Sequence, residues 1–323
     1  MISASEKKTA MGGTELMAAR LEQYLTDGCI DDFQIVLSRV RELDPDKFRI
    51  FWAHDLPGDP ESEFLKDPIL RDRFHHFVFV SNWQFWMYAQ TYALPLDKCS
   101  VIPNAIWPVR GHKKPDHNEQ IRLIYFSTPH RGLDILVPAF EDIYNRYGNK
   151  VHLDVYSSFS LYGWSDRDVP YESLFERCKN HPGITYHGAV GNDEIRKALT
   201  NSHILAYPST WPETSCLVLI EAMSAGLDCV HSNLAALPET SAGLTAQYTY
   251  QADPAAHQKI FTEKLSQAIL DYEGPCTYSS EHVMLVHDWN RVSWKWDLLM
   301  QEIRERNPSK ALEDTGFFTL KVN

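Results

Sequence analysis

Short apolar segments alternate with helical patterns along the whole 323-residue chain, and this alternation is the feature that most constrains its fold. Strands that alternate with helices at this spacing predict βα units and parallel sheets rather than a β-sandwich or a helical bundle. The predicted strands cover residues 33–40, 48–53, 76–81, 100–103, 121–127, 152–157, 184–187, 203–208 and 229–232. The predicted helices cover residues 14–25, 84–92, 135–147, 193–200, 216–225 and 259–272.

A polar segment divides these elements into two groups. Residues 108–120 (PVRGHKKPDHNEQ) are largely charged or polar and contain two prolines, which is typical of a linker. We therefore predict a first domain at residues 1–115 and a second domain at residues 116–285. A closing helix and C-terminal tail at residues 286–323 can return to the first domain.

Composition and charge exclude several classes of protein. Apolar residues make up 44% of the chain and charged residues 23%, so a buried core is expected and a fibrous or disordered chain is not. The formal net charge of −12 argues against nucleic acid as a partner, because phosphate backbones require a basic surface. No stretch approaches the roughly 18 apolar residues of a membrane span, although weak peripheral association with a membrane stays open.

The six cysteines are scattered along the chain, with no Cys-x-x-Cys pair, and no signal peptide is recognised. Reduced thiols are therefore expected, and the sequence predicts a cytoplasmic protein.

The most informative stretch for chemistry is residues 203–240. A buried strand is followed by a loop, and Thr214 and Ser215 are candidate N-caps for an apolar helix that Gly226 closes. The N–H groups from Ser215 to Leu217 in the first turn predict a site for a phosphate or pyrophosphate, because the first N–H groups of a helix have no partners within it.

Two carboxylates flank this predicted anion site. Glu213 lies just before the helix and Glu221 about two turns into it, so they could accept hydrogen bonds from sugar hydroxyls on either side of a pyrophosphate. With 20 glutamates, chance alone gives roughly one pair at this spacing, and the chain has three. Only Glu213 and Glu221 lie on a strand–loop–helix, so their context selects them.

The segment YPSTWPETSCLVLIEAMSAG (207–226) resembles the donor-binding signature of family 4 of the retaining glycosyltransferases, which have the GT-B fold. Other segments resemble parts of this family in the same order along the chain, from about residue 11 to residue 300. They are MGGTELMAARL (11–21), WAHD (52–55), FVSN (79–82), VIPNAI (101–106), FSTPHRGLDILVPAF (126–140), YHGAVGNDEIRKAL (186–199) and DWNRVSWKWDLL (288–299).

The resemblance implies an α/β fold of two Rossmann-like domains that face each other across a cleft, with a shortened N-terminal domain. It also implies transfer of a sugar from a nucleotide-sugar to a glycan or another small acceptor, with retention of configuration. Neither a metal nor a further cofactor is expected, because a guanidinium and a helix start can stabilise the charge on the leaving phosphate.

The resemblance assigns roles to individual residues. His54, Arg131 and Glu213 are the predicted catalytic residues: His54 would contact the transferred sugar, Glu213 its hydroxyls, and Arg131 the phosphates. Glu221 would hold the ribose, and Glu239 is a weaker candidate. The predicted donor-binding residues are Gly12, Gly13, Thr14, Ser127, Thr128, Arg131, Gly188, Val190, Thr214, Ser215, Cys216, Leu217 and Glu221.

Three features depart from the family pattern. Residues 1–10 are not apolar, so the usual first strand is weak. The family commonly brings two cations to the phosphates, but here Ser127 and Thr128 stand in place of the first and only Arg131 remains. The residues Thr214, Ser215 and Cys216 replace a small glycine-containing loop, which predicts a narrower pocket for the donor sugar.

Two other functions stay open: a sugar-nucleotide epimerase of similar fold, and a non-catalytic subunit that binds a nucleotide-sugar or a glycan. Two Asp-x-Asp pairs, Asp44/Asp46 and Asp166/Asp168, occur about as often as chance predicts. We interpret both pairs as solvated loop residues rather than as metal ligands.

Overall fold

A computed structural model of the protein describes residues 13–25, 30–109 and 114–307. These residues form two compact units. One unit contains the described parts of Gly12–Ala105 and Val286–Asn323, and the other contains those of Ile106–Leu285.

The first unit thus ends ten residues before the predicted boundary at 115/116. Ile106 is buried in the core of the second unit, and the Val109 N–H donates a hydrogen bond to Ser224 Oγ at 3.2 Å. The start of the predicted linker is therefore part of the second unit.

The secondary structure follows the predicted alternation. In chain order the strands are β1 Phe33–Leu37, β2 Phe48–Ala53, β3 His76–Phe79, β4 Cys99–Val101, β5 Ile121–Phe126, β6 Val151–Tyr156, β7 Ile184–Tyr186, β8 Ile204–Tyr207, β9 Asp228–Ser232 and β10 Ala246–Tyr248. The helices are α1 Gly13–Tyr24, α2 Pro68–Arg71, α3 Asn82–Tyr92, α4 Leu133–Tyr147, α5 Glu172–Asn180, α6 Asn192–Thr200, α7 Leu217–Ser224, α8 Leu237–Ser241, α9 Pro254–Leu270, α10 Thr277–Val286 and α11 Trp289–Arg306.

The first unit is built on a parallel sheet of order β1-β2-β3-β4. Strand β1 ends at Leu37, three residues before the predicted end at Val40. It ends there because Ser38 leaves the extended conformation with a φ of +54°. The helix α11 belongs to this unit: the Trp296 ring lies 4.8 Å from the Trp52 ring of β2. The predicted weak first strand at residues 1–10 lies outside the described residues.

The second unit has a six-stranded parallel sheet of order β10-β9-β8-β5-β6-β7. Its first strand, β5, lies between its second, β6, and its fourth, β8, which is the strand order of a doubly wound nucleotide-binding sheet. The connections on the two sides of β5 run in opposite directions, so a crevice forms at the carboxyl ends of β5 and β8. Ligands of such sheets bind at this switch point.

Candidate functional site

The loops that follow β5 and β8 meet at the switch point of the second unit. Gly132, at the end of the β5 loop, has a φ of +100°, and a Cβ atom there would lie 2.1 Å from the Pro208 carbonyl oxygen. A side chain at this position would collide with the backbone that follows β8. The absence of a side chain at Gly132 therefore allows the two loops to pack together.

This packing brings together an arginine and a glutamate that are 82 residues apart in the sequence. Arg131 Nη1 donates to Glu213 Oε1 at 3.0 Å and to Oε2 at 3.2 Å. The Tyr207 hydroxyl, at the end of β8, donates to the same Oε1 at 2.7 Å. Burial raises the pKa of Tyr207, so this phenol stays protonated and acts as a donor. We call Arg131, Glu213 and Tyr207 the switch-point cluster.

The Arg131 side chain keeps one side open while its partner is buried. Its side chain is 26% exposed, against 7% for the Glu213 side chain. Burial disfavours the charged guanidinium, but the Glu213 carboxylate beside it holds the pKa of Arg131 above its usual value. Arg131 Nε donates no hydrogen bond to any described residue. The cluster thus contains a permanent cation whose side chain is partly exposed.

The β5 loop is held in place by its own hydrogen bonds. The Tyr125 hydroxyl donates to the Thr128 carbonyl at 2.8 Å, and the Arg131 N–H donates to the same carbonyl at 3.2 Å. Thr128 is buried and Ser127 half-buried at the end of β5. Both predicted donor residues therefore lie in the loop that carries Arg131.

The start of α7 differs from the prediction. The N-cap is Cys216 rather than Thr214 or Ser215, and its Sγ accepts a hydrogen bond from the Leu219 N–H at 3.4 Å. The thiol is almost fully buried, and burial raises its pKa, so it stays neutral. Glu221, in the second turn of α7, is 6% exposed.

The other predicted residues of this unit lie farther along the same sheet. Gly188 and Val190 follow β7, which is two strands from β5 at the edge of the sheet, and Gly188 has a φ of +69°. The His187 ring stacks on the Tyr156 ring at 4.1 Å, and its Nε2 lies 2.9 Å from Asp154 Oδ1. Glu239 is an exposed residue of α8.

His54, Gly13 and Thr14 belong to the first unit. His54 follows β2, its backbone N–H donates to Ser38 Oγ at 2.9 Å, and its ring lies 4.6 Å from the Trp52 ring. Burial lowers the pKa of His54 to about 3, so the ring is neutral at pH 7. Gly13 and Thr14 begin α1, and Gly12 lies outside the described residues.

Sequence reasoning missed two residues of the site, Tyr207 and Gly132. Tyr207 ends an apolar strand and has the composition of a core residue; only its position directly before the loop could have marked it. Gly132 could have been recognised from its place between Arg131 and the first residue of a helix, where a positive φ favours glycine.

No group of three or more His, Cys, Asp or Glu side chains in the described part of the chain is arranged to hold a metal ion. Among the same residues, no helix has the length and apolar content that crossing a membrane requires.

Comparison with known proteins finds a similarity to glycosyltransferases that is centred on the second unit. Residues 121–269 match the family model described as Glycosyl transferases group 1. The chain is 24% identical over 207 residues to a subunit of the human phosphatidylinositol N-acetylglucosaminyltransferase. That alignment covers 63% of this chain and 40% of the human protein, so this chain spans well under two thirds of that relative.

Solved structures show the same fold at low sequence identity. The pneumococcal O-GlcNAc transferase GtfA, in complex with UDP and GlcNAc, has a TM-score of 0.64 at 13% identity over 90% of this chain and 60% of that chain. HepE from Anabaena, in complex with UDP and glucose, has a TM-score of 0.63 at 14% identity over 89% of this chain and 81% of that chain. The predicted α/β fold with two parallel-sheet units, as in GT-B glycosyltransferases, is confirmed.

Proposed function

We propose that the chain is a retaining glycosyltransferase that moves a sugar from a nucleotide-sugar to a hydroxyl group of a glycan or another small acceptor. The observation that carries the proposal is the switch-point cluster, which lies where doubly wound sheets bind ligands and within the segment that matches group 1 glycosyl transferases.

In the proposed reaction, the bond between the anomeric carbon and the donor phosphate oxygen breaks. A bond from that carbon to the acceptor oxygen forms on the same face of the sugar. The acceptor proton passes to a phosphate oxygen of the departing nucleoside diphosphate. Charge therefore grows on the phosphate toward the transition state, and a guanidinium fixed beside it stabilises that charge.

The cluster supplies such a guanidinium. Glu213 and the buried loop hold Arg131 in one orientation, so little reorganisation is needed when the charge develops. Glu213 is itself oriented by the Tyr207 hydroxyl, and its carboxylate would accept hydrogen bonds from hydroxyls of the donor sugar. We also propose Glu221 as the ribose contact and His54, which is neutral at pH 7, as a contact of the transferred sugar.

The remaining donor contacts follow from the family resemblance. They are Gly12, Gly13 and Thr14 near the phosphates, Ser127 and Thr128 in the β5 loop, Gly188 and Val190 near the base, and Thr214 to Leu217 at the start of α7. No metal is assigned to the reaction, because Arg131 and the first N–H groups of α7 would carry the phosphate charge.

The test measures nucleotide release and glycoside formation from a panel of nucleotide-sugars, with and without acceptors. Arg131→Ala is expected to lower kcat about 100- to 1000-fold, the cost of losing about 2.7–4 kcal/mol of transition-state stabilisation. Arg131→Lys should recover only part of this, because a point charge does not reproduce the guanidinium fork. The matched control is Arg146→Ala, an exposed arginine of α4 that makes no ion pair with the described residues.

Each contrary result points elsewhere. A rise in KM with kcat unchanged would make Arg131 a binding anchor rather than a catalytic residue. Nucleotide turnover without a glycoside product would favour an epimerase or a hydrolase. Binding without any turnover would favour a non-catalytic subunit.

A further inference from the structure

The segment that follows β6, residues 157–171, lies against the loop that carries Arg131. The Phe159 ring stacks on the His130 ring at 5.2 Å and 16°, and His130 directly precedes Arg131. On another side of His130, the Trp211 ring makes an edge contact at 5.1 Å. Because β6 is the neighbour of β5, this segment leaves the sheet at the same edge as the switch-point cluster.

Asp168 fixes the shape of the segment. Its carboxylate accepts a hydrogen bond from the Phe159 N–H at 2.8 Å and another from the Ser158 hydroxyl. The interpretation of Asp168 as a solvated loop residue is therefore wrong: the carboxylate closes the segment on itself. The residue before it, Arg167, is held at a defined place.

Arg167 rests on an aromatic platform. Its guanidinium carbon lies 4.4 Å from the centre of the Trp164 ring, and the Trp164 ring stacks on Tyr162 at 5.2 Å and 24°. Stacking on a ring holds a guanidinium in place. Its N–H groups lie in the plane of the guanidinium and stay free to donate. Arg167 is exposed and makes no ion pair or side-chain hydrogen bond with the described residues. Its charge and its donors are thus available to a ligand.

Arg167 and Arg131 both lie near His130. Burial, together with the charges of Arg131 and of Arg167, lowers the pKa of His130 to about 4. The hydrogen bond from the Phe159 N–H to Asp168 and the stacking of Phe159 on His130 bring the segment that carries Arg167 beside the loop that carries Arg131. Arg131 shares its charge with Glu213.

We propose that Arg167 is a second cation for the diphosphate of the nucleotide-sugar and that the Trp164 ring positions it. The proposal rests on the proposed function, because it assigns a further residue to the same donor site. A nucleoside diphosphate carries more negative charge than one guanidinium already paired with a carboxylate can balance. A second guanidinium with all of its N–H groups free supplies charge-assisted hydrogen bonds to the phosphate oxygens.

The experiment compares binding of UDP, GDP and ADP with binding of the corresponding nucleosides by calorimetry and by competition. Wild type will bind one of the three diphosphates most tightly. The affinity for that diphosphate should fall about 10- to 100-fold in Arg167→Ala, the cost of losing a charge-assisted contact. Its affinity for the matching nucleoside should stay within about twofold. Arg167→Lys should recover part of the loss, and Arg146→Ala, the control with an exposed arginine elsewhere in this unit, should match wild type.

A substitution of Trp164 separates the positioning of Arg167 by the ring from the charge of Arg167 itself. Trp164→Leu keeps an apolar side chain and the charge of Arg167 but removes the ring face, so it should weaken diphosphate binding less than Arg167→Ala does. Arg167→Gln repeats the test of Arg167→Ala with a side chain that keeps hydrogen-bonding groups but loses the charge. Thermal unfolding of every variant checks that its fold is intact.

Three outcomes overturn the proposal. If Arg167→Ala and Arg167→Gln bind the diphosphate as wild type does, Arg167 does not touch the phosphates, although the proposed function stands. If they lose diphosphate and nucleoside affinity equally, Arg167 only maintains the fold. If wild type binds none of the three diphosphates, the proposed function itself fails, and that result is distinct from the other two.

Discussion

At the scale of single residues, Glu213 is the centre of the candidate site. Its Oε1 accepts hydrogen bonds from both Arg131 and Tyr207, and the residue is 6% exposed. A buried carboxylate is costly unless it is paired and hydrogen-bonded, and here it is both. The same two donors set its orientation, so any contact that Glu213 makes with a substrate depends on them.

We predict that Tyr207→Phe lowers the stability of the protein and its kcat but leaves nucleotide binding intact. The variant removes one charge-assisted hydrogen bond from a buried carboxylate, which costs about 1.5–3 kcal/mol in the free energy of unfolding. Because Tyr207 acts through Glu213, kcat should fall while the affinity for a nucleoside diphosphate stays near that of wild type. Urea unfolding and steady-state kinetics measure the two effects.

Tyr125→Phe is the matched control for this variant. It removes a buried phenol whose partner is the neutral Thr128 carbonyl, so the expected cost is smaller, about 0.5–1.5 kcal/mol. Equal losses of stability in the two variants, with equal kinetics, would show that the hydrogen bond to Glu213 has no special role.

At the scale of elements, the site depends on how closely the β5 loop approaches the end of β8. We predict that Gly132→Ala is destabilising, because its Cβ would meet the Pro208 carbonyl oxygen at 2.1 Å. Gly148→Ala is the control: Gly148 also has a positive φ, +58°, but a Cβ atom added there would meet no atom within 4 Å. Both variants bear the backbone strain, and only Gly132→Ala bears the collision.

The expected difference between these two variants is about 1–3 kcal/mol in the free energy of unfolding, the usual cost of overpacking. Urea unfolding followed by circular dichroism measures it. A Gly132→Ala protein as stable as Gly148→Ala would mean that the β5 loop moves away from β8 without cost, and the cluster would then not be rigid.

A strand residue, His231, gives the protein a predictable pH dependence. It lies in β9, fully buried, with Nδ1 2.8 Å from the Ser232 carbonyl and Nε2 2.7 Å from Thr245 Oγ1. A carbonyl only accepts, so Nδ1 carries the proton and Nε2 accepts from Thr245. Burial lowers the pKa of His231 to about 4.

Since this pKa lies below that of the unfolded chain, about 6.5, only the unfolded state takes up the proton between these values. The contribution of neutral His231 to the free energy of unfolding is therefore complete above pH 6.5 and is lost as the pH falls toward 4. Between pH 7 and pH 5, wild type should therefore lose about 2 kcal/mol more stability than His231→Gln does. Urea unfolding at the two pH values measures these losses. If wild type and His231→Gln lose the same stability, the folded protein takes up the proton on His231 as readily as the unfolded chain does.

At the scale of the whole molecule, the chain folds into two parallel-sheet units and returns to the first at its end. The helical spacing of Trp289, Val292, Trp296 and Leu299 predicts that they pack in the core, and all four are at most 5% exposed in α11. Trp296 meets Trp52, from 244 residues earlier, so the first unit is complete only when the C-terminal helix is present.

We predict that the activity of the whole protein does not depend on a divalent metal. In the proposed mechanism the phosphate charge is stabilised by Arg131 and by N–H groups at the start of α7, and neither needs an ion. Turnover in excess chelator should equal turnover with added magnesium or manganese. A strict requirement for either ion would contradict this assignment of charge.

The sequence by itself determined the alternation of strands and helices and the positions of β1 to β9, because apolar periodicity is a local property. The strand–loop–helix context of Glu213 and the resemblance to a glycosyltransferase family also predicted Arg131 and Glu213 as site residues. It missed the strand β10 and the helices α2, α5, α8 and α10. Only Phe175 and Cys178 are buried in α5, and only Ser279 and Val283 in α10, so neither helix carries an extended apolar face.

Only the tertiary structure decided which side chains meet. The pairing of Arg131 with Glu213 joins two loops 82 residues apart, and the share of Tyr207 in it depends on the depth to which β8 is buried. The N-cap of α7 is likewise Cys216, a poor N-cap by composition whose side chain is almost fully buried. Local propensity cannot report such contacts, because they depend on distances in space that the packing of the sheet alone sets.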